Sequence, residues 1–189
     1  MQDGRDDPLD ESPCRTGATA RSRSPHADVL DRLTRLEALV SIQQLMFRYA
    51  ECVDLARFEA LGELFRHGTI GAAGARPMRG VSEVARFYAA TNRVHADGTL
   101  RTRHLAANPI VEIDPSGRRA TARSYFVVLQ ETKAVPLQAI VAGRYHDAYH
   151  VVDDAWCFAE RVIHVDQVGN MSDHLSFDLR RDPIPEIEG

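Results

Sequence analysis

The chain has 189 residues, of which 44% are hydrophobic and 26% charged, with a formal net charge of −4. This balance excludes fibrous and wholly disordered classes, and a domain of this length buries about 70% of the surface its unfolded chain exposes. The lack of a basic excess argues against a nucleic-acid partner.

Residues 1–27 are rich in Asp, Arg, Ser, Pro and Gly and poor in large apolar side chains. They are expected to form a disordered tail, and the Arg21 to Ser24 stretch reads as part of it. From Asp28, an expected N-cap, Val29, Leu30, Leu33, Leu36, Leu39 and Val40 recur at helical spacing, followed by Ile42, Leu45, Met46, Tyr49 and Val53. One long helix or two abutting helices are predicted up to about Leu55. Phe58, Leu61, Leu64 and Phe65 mark a shorter helix that ends near His67-Gly68. A brief strand is expected at Thr69–Ala73, then a loop through Gly74, Pro77 and Gly80, then a helix from Val81 to Val94.

After Gly98 the period drops to two. Strands are predicted at Thr102–Asp114, Ala120–Glu131, Leu137–Val152 and Ala155–Val168. Helices first and long antiparallel strands last argue for an α+β domain, residues 28–179, with helices on one face of a strongly curved sheet. Residues 180–189 read as a loose C-terminal tail. No run approaches the ~18 apolar residues of a membrane span, and the Asp-rich start lacks the apolar stretch of a secretory signal. Cys14, Cys52 and Cys157 are too few and scattered for a disulfide framework or a Cys-rich zinc site, so a reducing cytoplasm is expected.

Candidate chemistry falls at few places. His146 and His150 have zinc-like i, i+4 spacing, but on a strand four residues span roughly 13 Å, so no metal is expected. There is no Gly-x-Ser-x-Gly elbow, and Gly71-Ala-Ala-Gly74 lacks the ending of a phosphate loop, so neither Ser/Cys catalysis nor a nucleotide cofactor is supported. Asp54 breaks the apolar end of the first helix; local pattern favours a cap for the next helix over a catalytic group. His104 opens the first long strand and shares a face by alternation with Thr102, Ala106 and Asn108, where lining a cavity and sitting at a sheet edge stand level as readings.

Three stretches taken together resemble the SnoaL-like and scytalone-dehydratase-like branch of the nuclear transport factor 2 superfamily. They are Tyr49-Ala-Glu-Cys-Val-Asp54 with Phe58-x-x-Leu61-x-x-Leu64-Phe65; Thr99-Leu-Arg-Thr-Arg-His104; and Gly143-Arg-Tyr-His-Asp147 with Trp156-Cys-Phe-Ala-Glu-Arg161. The resemblance spans about Leu33 to Asp166 and implies a cone-shaped fold with a pocket inside the sheet. It also implies an acid–base site, in which Asp54 and His104 match the Asp and His of scytalone dehydratase, and Tyr49 completes a triad similar to that of bile acid 7α-dehydratase. Arg161 or Arg144 corresponds to a further arginine of that enzyme. Where scytalone dehydratase has a second histidine this chain offers Gln130, and its two water-holding tyrosines fall on Val53 and Ala73, so scytalone is not the expected substrate.

The reading that follows is a cofactor-independent dehydratase or cyclase, a lyase or isomerase, for a small hydrophobic ring compound of polyketide, terpenoid or steroid-like type. Tyr49, Asp54 and His104 would be catalytic, and Arg161, Arg144, Gln130 and Asn108 would bind substrate. The alternative is a non-catalytic ligand-binding protein or a small subunit like the β subunits of ring-hydroxylating dioxygenases. A homodimer is expected, with the Val29–Val40 pattern as a candidate contact.

Overall fold

A computed structural model describes residues 24–185. Helix α1 runs from Pro25 to Asp54, capped by Ser24, whose Oγ accepts from the Ala27 amide at 3.2 Å. The helix thus begins three residues before the expected Asp28 cap, because a serine followed by proline at the first helical position is the better start signal. The remainder of the expected N-terminal tail lies outside the described residues. At the other end Ala56 takes φ 51°, and the Arg57 amide closes back on the Cys52 carbonyl at 2.8 Å. That left-handed residue ends α1 and turns the chain into α2, Phe58–Leu64.

Strands β1 (Thr69–Ala72) and β2 (Met78–Arg79) follow, then α3 (Gly80–Thr91), β3 (Thr102–Ile113), β4 (Arg119–Gln130), β5 (Gln138–Val152) and β6 (Ala155–Val168). The two-residue β2 lies where only a loop was expected. One six-stranded sheet has the order β2-β1-β6-β5-β4-β3, antiparallel throughout except that β1 runs parallel to β6. The three helices pack on this mixed sheet, as the order of periodicities predicted.

Register shifts at Ala107/Ile110, Val128/Leu129, Ala142/Gly143 and Ala148/Tyr149 interrupt the three long ladders. Each bulge adds local twist and bend, so the sheet curls around its helix-facing side. Gly143 is required at one of them: a Cβ there would stand 2.0 Å from the His164 carbonyl oxygen. Ile42, Met46, Tyr49, Leu61, Phe65, Phe126, Tyr145 and Phe158 fill the concave side. Phe65 stacks on Phe158 and Phe126 on Tyr145, with ring centroids 4.8 and 4.5 Å apart.

The chain beyond β6 continues against the domain. Leu175 bridges to Asn92, Arg180 donates to the Val168 carbonyl, and Ile184 is half-buried. Within the stretch expected as a loose tail, Arg180 and Ile184 thus contact the domain, while residues 181–183 are exposed.

Candidate functional site

Asp54 is the last residue of α1 and is buried. Its backbone carbonyl accepts from the Leu100 amide at 3.0 Å, which brings the start of β3 alongside the helix end. The carboxylate then accepts from the Thr102 hydroxyl at 2.6 Å, from the His104 amide at 3.2 and 3.0 Å, and lies 2.6 Å from His104 Nδ1. Burial alone would raise this carboxyl, but the bonds from His104 and Thr102 outweigh it and hold Asp54 below the ordinary carboxylate range. Asp54 is not a cap for α2. Arg57 holds that position, and α2 has no side-chain cap bond.

An ionised carboxylate only accepts, so the proton between the two groups sits on His104 Nδ1, and in the neutral ring that leaves Nε2 as the nitrogen with the lone pair. His104 lines a cavity of about 140 Å³ enclosed mainly by apolar side chains, among them Val53, Phe126, Val128, Val141, Ile163 and Met171. Tyr49, Tyr88, Tyr145 and His174 line the same space. A larger hollow of about 930 Å³, around Glu112, Arg118 and His150, includes neither Asp54 nor His104.

Tyr49 projects from α1 and its hydroxyl pairs with that of Tyr88 on α3 at 2.9 Å. Burial raises the pKa of Tyr49, and of Tyr88 and Tyr145 well above that of an ordinary phenol, so all three stay protonated. Behind them sits Arg161, 1% exposed, with its guanidinium carbon 4.3 Å from the Tyr49 ring centre and 4.1 Å from that of Tyr145. Arg161 is bound in a fork to Asp147 at 2.8 and 2.7 Å, and Tyr149 donates to the same carboxylate at 2.8 Å. Burial opposes the charge on Arg161, yet Asp147 more than restores it and the pKa rises.

The sequence missed His174. It lies after β6, is 5% exposed, and stands 6.1 Å from His104 between ring centres, with Nδ1 unpartnered among the described residues. Burial first, then the neighbouring His104, lowers its pKa to about 3, so the ring is neutral. Gln130 explains how it is held. Its Nε2 donates to the carbonyls of Leu100 at 3.0 Å and Asp173 at 3.1 Å, while Thr132 donates to the Asp173 carboxylate at 2.6 Å. Gln130 therefore clamps the segment that carries His174 and does not itself line the cavity.

The other three expected binding residues do not line the cavity either: Arg161 lies behind the tyrosine rings, and Asn108 and Arg144 stand elsewhere. Asn108 is exposed at φ 52° within the β3 bulge, beside Pro109, which has no amide to give the ladder. The bulge inverts the alternation, so Thr102, His104 and Ala106 face inward before it while Val111 and Ile113 pack on the core after it. Arg144 points to the opposite face of β5 from Tyr145 and pairs with Asp166 at 2.9 Å through both Nε and Nη2. Among the described residues, no group of three or more His, Cys, Asp or Glu side chains is placed to hold a metal ion.

Comparison with known proteins bears on the fold. The structure of a single-residue variant of Rv3472 from Mycobacterium tuberculosis, described as of unknown function, is 25% identical with a TM-score of 0.61, covering 78% of this chain and 79% of that one. A nuclear transport factor 2-like protein with a cystatin-like fold from Novosphingobium aromaticivorans is 22% identical with a TM-score of 0.62, over 74% and 88% of the two chains. A candidate scytalone dehydratase from the same organism is 22% identical with a TM-score of 0.60, over 82% and 98%. None of the curated proteins matches the sequence. The SnoaL-like domain matches residues 34–162, from the middle of α1 through the buried Arg161, and the chain belongs to that family.

Proposed function

We propose that the protein is a cofactor-independent acid–base lyase or isomerase, a dehydratase or cyclase, acting on a small hydrophobic ring compound in the cytoplasm. The observation that carries this reading is the 2.6 Å contact of Asp54 with His104 Nδ1 at the wall of an apolar cavity. A scaffold gains nothing from burying such a pair, whereas a base needs it. Asp54 fixes the imidazole tautomer and stabilises the imidazolium that forms.

His104 Nε2 would remove a proton from the carbon next to a substrate carbonyl, and the C–H electrons would pass into an enolate. The enolate then re-forms the carbonyl, a carbon–carbon double bond appears, and hydroxide leaves from the β carbon with the proton carried by His104. In the Tyr49–Tyr88 pair one hydroxyl donates to the other, which leaves one O–H to donate to the enolate oxygen, and the Arg161 charge behind the rings favours developing negative charge. Neutral His174 completes the polar lining.

Cavity size bears on the substrate. Ligand clefts commonly hold ~300–1,000 Å³, and a void of about 150 Å³ accepts a benzene-sized ring. The 140 Å³ here favours a single-ring compound over a steroid-like one. The test is a panel of cyclic β-hydroxyketones followed by the ultraviolet absorbance of the enone product, with Asp54→Asn as the control. Turnover that the substitution leaves untouched, or tight binding of the panel with no turnover by either protein, counts against the reading.

A further inference from the structure

Helix α1 carries two apolar stripes. Ala38, Ile42, Met46, Tyr49 and Val53 are buried against the domain. Val29, Leu33, Leu36, Val40 and Phe47, each 49–57% exposed, form the second. At about 100° per residue the stripes are centred roughly 150° apart, so the second one faces away from this chain's own core. From Pro25 to Glu37 no residue is buried, and the first turns of α1 stand clear of the domain.

The spacing of the exposed stripe is that of a coiled-coil seam. Val29, Leu36 and Gln43 take heptad position d, and Leu33, Val40 and Phe47 take position a. Arg32 then falls at g and Glu37 at the following e. In a parallel pair of helices, g of one strand meets e of the next heptad in the other, which joins opposite charges here; antiparallel pairing sets g against g. Residues 1–23 hold only Met1 and Leu9 as large apolar side chains, too few to cover such a stripe.

We propose that two copies of this chain pair their α1 helices in parallel along Val29, Leu33, Leu36, Val40 and Phe47, with Arg32 of one protomer against Glu37 of the partner subunit. Because the buried stripe faces away from the seam, each domain lies on the outer side of its own helix. Gln43, half-buried at a d position, is a polar break in this apolar seam.

The experiment is sedimentation velocity on the full chain, with circular dichroism to check folding. The wild type is expected at twice the 21.1 kDa chain mass at micromolar concentration. Leu36→Glu and Val40→Glu, at exposed sites, should keep the fold and yield monomers. Arg32→Glu alone and Glu37→Arg alone should each weaken the dimer several-fold, and the double exchange should restore it. A monomeric wild type overturns the proposal. So does a dimer that survives Leu36→Glu and Val40→Glu but dissociates with Leu105→Glu or Tyr125→Glu on the outer face of the sheet. Failure of the double exchange to restore affinity overturns the parallel pairing.

Discussion

Gln130, at the end of β4, donates to the backbone carbonyl of Asp173 at 3.1 Å, and through that bond a sheet strand fixes the turn on which His174 approaches His104. The sheet and the post-β6 segment thus form one wall of the cavity.

Gln130→Leu should loosen that wall. It removes the side-chain donor of the Leu100 carbonyl and leaves the Asp173 carbonyl with His95 alone, a loss of about 1–3 kcal/mol in urea unfolding. Hydrogen exchange should quicken in peptides covering residues 169–179 and not in α3. Unchanged exchange there would show that Thr132 and His95, which also bond to Asp173, suffice to hold it.

Asp54→Asn and His104→Ala should each lower turnover by on the order of 10²–10⁴-fold with the fold retained. The double variant should be little worse than either, because the pair acts as one unit. Asparagine caps a helix about as well as aspartate, so a cap would tolerate the first change. Near-normal turnover in Asp54→Asn would remove the pair from the chemistry.

Arg161→Met should destabilise by about 3–5 kcal/mol, since it strands the Asp147 carboxylate in the core. Arg161→Met combined with Asp147→Leu should cost less than the single change, for the same reason. Both are read from urea midpoints. A single variant close to wild type would mean that water reaches Asp147.

Stability should fall on acidification, starting near neutrality. His174 has a folded pKa of about 3 against an ordinary value of 6.5, so the unfolded chain takes up its proton first and stability is lost as pH drops from about 6.5 towards 3. Asp54, depressed in the folded state, adds a loss of the same sign below the ordinary carboxylate range. The urea midpoint should therefore decline between pH 7 and pH 5, and His174→Phe should flatten that slope. An equal slope in the variant would show that His174 is solvated.

The helices and the long strands were legible because each follows a local period, and the apolar spacing of Ile42 to Val53 or the alternation along β4 needs no distant partner to be read. Asp54 and His104 were legible as a pair only through resemblance, since by local pattern Asp54 read as a cap. The tertiary structure decided the rest. Asn108 left the inner face because the bulge at Pro109 inverts the alternation, which depends on pairing with β4. Arg161 became the anchor of a buried ion pair because Asp147 stands opposite it in the β5–β6 register. His174 sits in a turn with no period of its own, and only the folded chain's long-range bond to Gln130 places that histidine beside His104.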